Sequence, residues 1–314
     1  MLSASLFSAP QHRIPQLSLS WGHLPILAIL IGLFALVPSA VCAQEPDSLT
    51  QTEQLYRVET SDGTVVIGTL SSGTETEVVL DTEEMGTVTL KRSTIERMEK
   101  IRPDRLRDGT YWFPNPQSTR YFFAPNAIGI PKGKGYYQNT WILFNNANYG
   151  VSDHVSIGAG TVPTFLFGAS SIPVWLLPKV SFSTPQEHLH VAGGAMLGGI
   201  LGQDNGLGGL LYGSATVGGR DHNATLGLGY GYSGNSLSDT PAVNLSGMTR
   251  VGRTTYLLSE NYLFPGTDFN GIISFGVRWA PENFAVDFGL FRPLEETGDF
   301  VAFPWLGVTI PFGS

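Results

Sequence analysis

The sequence predicts an all-β protein: a transmembrane antiparallel β-barrel of about twelve strands, preceded by a small β domain and a cleaved signal peptide. Three observations predict this. An apolar run near the N-terminus resembles an export signal, charge is dense before residue 108 and sparse after residue 136, and the sparse part alternates apolar with small residues. The expected ranges are 1–43 for the signal peptide, 44–108 for the small periplasmic β domain, 109–120 for a linker and 121–314 for the barrel.

The signal peptide is predicted from an apolar run of 14 residues, Leu24 to Val37. This run is too short for a spanning helix, which needs about 20 residues. Arg13 precedes it, Pro38 breaks it, and the small residues around Ala43 suit a signal peptidase. An uncleaved membrane anchor and a lipoprotein modified at Cys42 are the alternatives.

Charge density separates a water-solvated module from the rest of the chain. Residues 44–108 hold 22 charged residues in 65, whereas residues 136–314 hold 18 in 179. The sparse part contains no apolar run of 18 residues, so it cannot cross a bilayer as helices. A closed β-barrel is the other structure that satisfies every backbone group in lipid.

The acidic module is expected to form short strands. Leu55 to Thr60 is followed by Asp62-Gly63, a hairpin turn signal, and further short strands follow as far as Leu90. The segment 93–100 is either a last strand or a helical turn. The run from Val58 to Gly63, with Gly68 to Leu70, resembles the first motif of Sm-like or SH3-like small barrels. We expect a periplasmic adaptor that holds a protein partner.

The barrel is predicted from strict alternation. Leu226, Leu228 and Tyr230 alternate with glycines, and other segments repeat this pattern. A soluble β-sandwich also alternates, but its exposed face would carry many charged residues. Here the non-apolar face is mostly Gly, Ser, Thr and Ala, which favours a lipid-exposed barrel.

Turn lengths predict the strand count and the orientation. Short and long connections alternate, as in bacterial barrels with short periplasmic turns. The twelfth strand, needed to bring both termini inside, is assigned to Tyr121–Ile130. The expected strands are 121–130, 137–149, 154–164, 172–184, 189–201, 208–219, 223–232, 242–249, 255–263, 268–280, 284–291 and 300–312.

The C-terminal segment carries a second resemblance. Gly307, Ile310 and Phe312 lie in a run that resembles the terminal-strand signal of bacterial outer-membrane proteins, although Gly313 and Ser314 extend past the aromatic residue. More broadly, residues 121–314 resemble uncharacterised outer-membrane barrels. The resemblance implies outer-membrane lipid and the barrel-assembly machinery as partners, and the bacterial outer membrane as the location.

Few residues indicate chemistry. Strand parity places Lys179, Arg278 and Asp287 on the lumen side, where they form either a charged constriction or structural ion pairs. His188 and His190 are the weak candidates for a metal site, but two ligands do not complete one. His154 and Ser156 are both expected to face the lumen and form the weak basis for a lipid hydrolase.

Composition restricts function further. A net charge of −8 argues against nucleic-acid binding, which needs a basic face. The sequence contains no phosphate-binding loop, zinc-protease motif or nucleophile elbow, so neither enzyme activity nor a cofactor is expected. The expected function is a non-enzymatic outer-membrane barrel that is either a narrow pore or a structural barrel. The alternatives are a membrane-embedded hydrolase acting on lipid and a soluble secreted β-sandwich binding protein.

Overall fold

The structure is a computed structural model that describes residues 54–107, 109–185, 188–202, 207–267, 269–294 and 302–313. The predicted signal peptide lies outside the described residues. The described chain is almost entirely β-structure. Its helices are three short 3-10 turns at Arg92–Thr94, Pro103–Arg105 and Thr164–Phe167.

The N-terminal module is a five-stranded antiparallel sheet with the order β4-β3-β2-β1-β5. Gly63, with φ +84°, turns the chain between β1 and β2 at the predicted Asp62-Gly63 position. Val58, Val66, Val78 and Leu80 form its small buried core. Segment 93–100 is both a 3-10 turn and a strand. The strands are β1 (Leu55–Thr60), β2 (Val65–Gly73), β3 (Glu77–Thr82), β4 (Gly86–Lys91) and β5 (Ile95–Lys100).

A two-stranded ribbon follows the module and leads into a second, larger sheet. The ribbon strands are β6 (Leu106–Arg107) and β7 (Thr110–Tyr111). The strands of the larger sheet are β8 (Gly135–Thr140), β9 (Phe144–Gly150), β10 (Val155–Thr161), β11 (Ile172–Leu176), β12 (Lys179–Ser183), β13 (Leu189–Leu201), β14 (Gly208–Gly218), β15 (His222–Ser233), β16 (Ser236–Leu237), β17 (Ala242–Arg250), β18 (Thr255–Leu263), β19 (Gly271–Trp279), β20 (Ala285–Pro293) and β21 (Phe303–Phe312).

The larger sheet closes on itself. Each strand pairs antiparallel with its neighbour, β21 pairs with β8, and β9 pairs with β10. β11 and β12 pair with the same two neighbours and are two halves of one strand, interrupted at Pro178, which has no N–H to donate. With β16 only a short addition to β15, the barrel has twelve strands. The predicted all-β class with a twelve-strand antiparallel barrel is confirmed, the open β-sandwich alternative is excluded, and the signal peptide stays a prediction.

Two of the predicted strands are wrong. One predicted strand is absent and another is two strands, so the predicted total of twelve is still correct. The segment Tyr121–Ile130 is not a strand. The predicted strand 137–149 is instead the hairpin β8–β9, which turns at residues 141–143. The barrel therefore begins at Gly135, whose partner in β21 is Phe312, and both ends lie on the side of the short turns.

The outer surface of the barrel is apolar. The side chains of Leu226, Phe275, Phe288 and Leu306 are exposed, while the residues between them face inward. A water-soluble protein rarely exposes a continuous apolar band, whereas a membrane-spanning barrel requires one. Among the described residues, no helix is long and apolar enough to span a membrane.

Candidate functional site

Residues 113–130, which we call the plug, lie inside the barrel. Both ends of the plug are at the short-turn side: Asn115 donates to the carbonyl of Arg220, and Ile130 lies beside Gly150. Its middle contacts inward-facing residues all around the wall. Those contacts come from Gln138, Lys179, Thr216, Thr225, Glu260, Arg278, Asp287 and Thr309.

A buried charge network fixes the first half of the plug. Arg278 Nε donates to Asp287 Oδ1 at 2.6 Å, and Arg120 Nη1 donates to Asp287 Oδ2 at 2.9 Å. All three side chains are at most 1% exposed. The surplus positive charge meets backbone carbonyls, since Arg278 Nη2 donates to Tyr121 O and Arg120 Nη1 donates to Phe122 O. Arg120 also bonds Thr309. The network therefore joins three wall strands to the plug.

Two further charged residues hold the tip and the returning half. Glu260 Oε2 accepts hydrogen bonds from the backbone N–H groups of Phe123 and Ala124 at 2.9 and 3.1 Å. Lys179 Nζ donates to the carbonyls of Asn126 and Ile128 at 2.9 and 2.8 Å. Because buried backbone groups must find partners, these side chains substitute for a strand neighbour that the plug lacks.

The ring of Phe122 packs the plug against the wall of the barrel. Its ring lies 5.3 Å from the ring of Phe291 and 5.8 Å from that of Trp305. A Cβ atom on Gly289 would lie 2.8 Å from Phe122 Cζ, so glycine at this position lets the ring lie against the sheet. At Gly276 a Cβ atom would meet the backbone of Phe288 and Gly289 even before it met the ring.

A partly enclosed cavity of about 130 Å³, which we call the vestibule, lies beside the plug tip. Apolar residues of the plug and wall, among them Phe123, Met196 and Leu210, form much of its lining. Amides, tyrosines, hydroxyl groups and one lysine supply its polar atoms, among them Gln138, Asn148 and Lys179. This volume is smaller than that of ordinary ligand pockets, which are about 300–1,000 Å³, so the vestibule takes one slender group rather than a whole drug-sized ligand.

The N-terminal module contacts the short-turn end. Arg57 of the module forms an ion pair with Glu282, which lies in the turn between β19 and β20; Arg57 Nη2 is 3.4 Å from Glu282 Oε2. Burial lowers the pKa of Arg57, but the carboxylates of Glu282 and Glu99 outweigh burial and raise the pKa above its usual value. Arg105 pairs with Asp221 at 2.7 Å in the turn between β14 and β15. The module thus faces the end at which the plug enters.

The sequence-predicted charges all lie in the lumen wall, where they bind the plug. Lys179, Arg278 and Asp287 contact its backbone or its Arg120, and Arg278 and Asp287 are partners across the β19–β20 hairpin. This geometry supports anchoring of the plug. A role in selecting solutes by charge stays a prediction.

The predicted metal candidates are not arranged as a site. His190 is buried, with Nδ1 2.6 Å from Ser183 Oγ and Nε2 3.2 Å from the carbonyl oxygen of Gly218, while His188 is exposed. In the part of the chain that the structure describes, no group of three or more His, Cys, Asp or Glu residues could hold a metal ion.

The residues of the hydrolase alternative lie apart. Ser156 faces the vestibule, as predicted. The prediction that His154 faces inward is wrong: it is exposed, stacks on the lipid-facing Phe182 at 5.4 Å, and its Nδ1 lies 3.1 Å from the carbonyl of Ser181. His154 comes before the first residue of β10, so strand alternation does not orient its side chain.

The predicted assembly signal forms β21, the strand that closes the barrel. Ile310 and Phe312 point outward, and Gly307 pairs with Thr140. Recognition of this strand by the assembly machinery stays a prediction.

Sequence reasoning missed Arg120 and Glu260. Glu260 has the parity of a lumen residue within a predicted strand, so its charge could have identified it. Arg120 lies in a segment predicted as a linker, and no local pattern connects it with Asp287, 167 residues away.

Comparisons with known proteins return barrels at low sequence identity. No family model and no curated protein matches the chain. A solved structure of the KdgM porin is similar over 58% of this chain and 99% of its own, at 6% identity and a TM-score of 0.42. A mutant of the Rh. blastica porin is similar over 82% and 99%, at 11% identity and a TM-score of 0.32.

Proposed function

We propose that this chain is a non-enzymatic barrel of the bacterial outer membrane that forms a narrow pore, closed at rest by its plug. The apolar outer band supports the membrane location, and the alternation of short and long connections supports a periplasmic module. The observation that carries the proposal is the plug itself. It enters from the short-turn end, and polar and charged side chains around the wall bind its backbone.

Removing the tip of the plug leaves a partner for each of the two wall carboxylates that bind it. Without Arg120, Asp287 still pairs with Arg278 in a one-to-one ion pair. Glu260 keeps the hydroxyl of Tyr262, which donates to Oε1 at 2.6 Å. The chain on either side of the tip is already close, since Asn126 N donates to Thr119 O at 3.1 Å.

The test is planar-bilayer recording of the full chain and of a variant that replaces Arg120 to Pro125 by two glycines. We expect the unmodified barrel to stay closed for most of the recording and the trimmed barrel to conduct in discrete steps. The matched control replaces Gly234 to Asp239, an equally long segment at the opposite end, by two glycines and should stay closed.

Two results would contradict a plugged pore. A folded trimmed barrel that never conducts would favour the alternative of a structural barrel. An unmodified barrel that conducts as freely as the trimmed one would show that the plug does not close the path.

The N-terminal module is proposed to act as an adaptor for a periplasmic protein. Its docking through Arg57 and Arg105 supports this, because it places the module at the mouth where the plug begins. A partner that pulled on the module would transmit force directly to the plug.

A further inference from the structure

The hairpin β8–β9 is too short to cross the apolar layer of a membrane. Its strands have 6 and 7 residues, whereas β13–β15 have 11 to 13. At about 3.3 Å per residue and a tilt near 40°, such strands climb about 15–18 Å. The apolar band of an outer-membrane barrel is about 25 Å tall. Because the hairpin starts level with the end of β21, its turn lies at membrane depth.

The turn has the composition expected in hydrocarbon. Trp141, Leu143 and Phe144 are exposed apolar side chains, and Ile142 is 81% exposed. Trp141 and Ile142 have φ of +50° and +68°, a conformation that glycine or asparagine adopts more easily. Bulky apolar residues held at this cost indicate that their side chains are needed at this position.

Four backbone groups of the turn have hydrogen-bond partners within the protein. Trp141 N donates to Leu306 O, and Leu143 N donates to Thr140 O. The amides of Asn139 and Asn145 donate to the carbonyls of Ile142 and Leu143 at 3.0 and 2.8 Å. Polar groups in lipid must be satisfied internally, so this arrangement suits a turn surrounded by acyl chains.

A row of aromatic rings lies behind the turn. The ring of Trp141 is 4.9 Å from that of Trp305, and the ring of Phe144 is 6.4 Å from that of Trp175. Both inner tryptophans are buried on the lumen side. These aromatic side chains therefore pack against the lumen side of the turn.

The vestibule on the inner side of this hairpin has one charged residue in its described lining, Lys179. Lys179 is 5% exposed, and no carboxylate among the described residues pairs with it. Two of its three N–H donors bind plug carbonyls, which leaves one for a ligand. An apolar cavity with a single buried cation is complementary to an anionic group on an apolar chain.

We propose that the vestibule binds a single-chain anionic amphiphile from the surrounding bilayer, with its carboxylate at Lys179 and its chain leaving over the hairpin β8–β9. This rests on the membrane-spanning barrel of the proposed function and names its ligand. The same amphiphile could instead enter from water through the long loops, and the position of the turn distinguishes the two routes.

The ligand test measures binding of dansyl-undecanoic acid and of its uncharged methyl ester to the full chain in phosphatidylcholine vesicles. The unmodified protein should bind the acid about tenfold or more tightly than the ester. Lys179→Met should remove that preference, and far-UV circular dichroism checks separately that the variant is folded. Lys179→Arg should keep the preference, as should Lys132→Met, a control at an exposed lysine. Equal binding of acid and ester by the unmodified protein would overturn the proposal.

The route test uses vesicles whose phosphatidylcholine is brominated in the middle of the acyl chains. Brominated lipid should quench a part of the tryptophan fluorescence of the unmodified protein. Trp141→Phe should remove that quenched part, whereas Trp112→Phe, a control in the linker after the module, should leave it in place. If the Trp141 emission is quenched by aqueous iodide and not by brominated lipid, the turn lies in water and entry from the bilayer is overturned. Bilayer recording of the trimmed barrel tests the pore separately: a conducting barrel with no acid preference would refute only the amphiphile.

Discussion

Asp287→Asn is expected to lower the free energy of unfolding by about 3–5 kcal/mol, the usual cost of removing one partner of a buried ion pair. Asp287 is the carboxylate between Arg278 and Arg120, and none of the three is in contact with water. Asparagine keeps the shape but leaves two buried guanidinium groups facing each other. The unpaired charges then destabilise both the wall and the plug.

This expectation is checked by urea unfolding of the full chain in detergent micelles, followed by tryptophan fluorescence. The matched control is Asp153→Asn in a short turn, where the carboxylate only accepts a hydrogen bond from the exposed Lys132 N–H. The control substitution should lower the free energy of unfolding by at most about 1 kcal/mol. Adding Arg120→Met to Asp287→Asn should restore part of the lost free energy of unfolding, because the second substitution removes one of the two unpaired cations. An Asp287→Asn barrel as stable as the unmodified protein would contradict the network.

Phe122→Ala is expected to lower the free energy of unfolding by about 3–5 kcal/mol, since it empties a fully buried aromatic site. Gly289→Ala should also destabilise, because the added methyl group would lie 2.8 Å from the Phe122 ring. The two costs should not add. Without the ring, the methyl group at position 289 has room. The double variant should therefore lose about 0.5–3 kcal/mol less free energy of unfolding than the sum of the two single losses.

The same unfolding experiment measures this coupling as a double-mutant cycle. Gly213→Ala is the control, because a methyl group there would be 3.9 Å from Ala192 O, its nearest neighbour outside the adjacent residues. Its cost should be the same with and without Phe122. Additive costs for Phe122→Ala and Gly289→Ala would show that the ring does not lie against Gly289.

The barrel could be predicted because lipid imposes a strict pattern on its wall. A residue facing hydrocarbon must be apolar, and its neighbours along the strand face the lumen, so alternation persists through β15, β19, β20 and β21. The pairing of Arg278 with Asp287 follows from the same alternation and a short turn. The domain boundaries and the location of the module stay predictions.

The plug and the short hairpin could not be predicted by the same reasoning. Tyr121 to Ile130 is apolar because it packs inside the lumen, and apolarity alone does not distinguish that site from a lipid-facing strand. The turn at Trp141 and Ile142 lacks the Gly, Asn or Asp that usually marks a turn, so no turn signal separated its two strands. The two errors cancelled in the strand count.

The most direct test of the account is whether the segment before the first barrel strand lies inside the barrel. A Cβ atom on Gly129 would lie 3.5 Å from Ser181 Cβ, within the range of about 3.5–4.5 Å for a disulfide. Ser181 faces the lumen, and its neighbour Phe182 faces lipid. We predict that Gly129→Cys with Ser181→Cys, in a chain whose single Cys42 is replaced by serine, forms a disulfide in the folded protein, while Gly129→Cys with Phe182→Cys does not. Cross-linking of Phe182→Cys in preference to Ser181→Cys would place the segment outside the barrel and contradict the account.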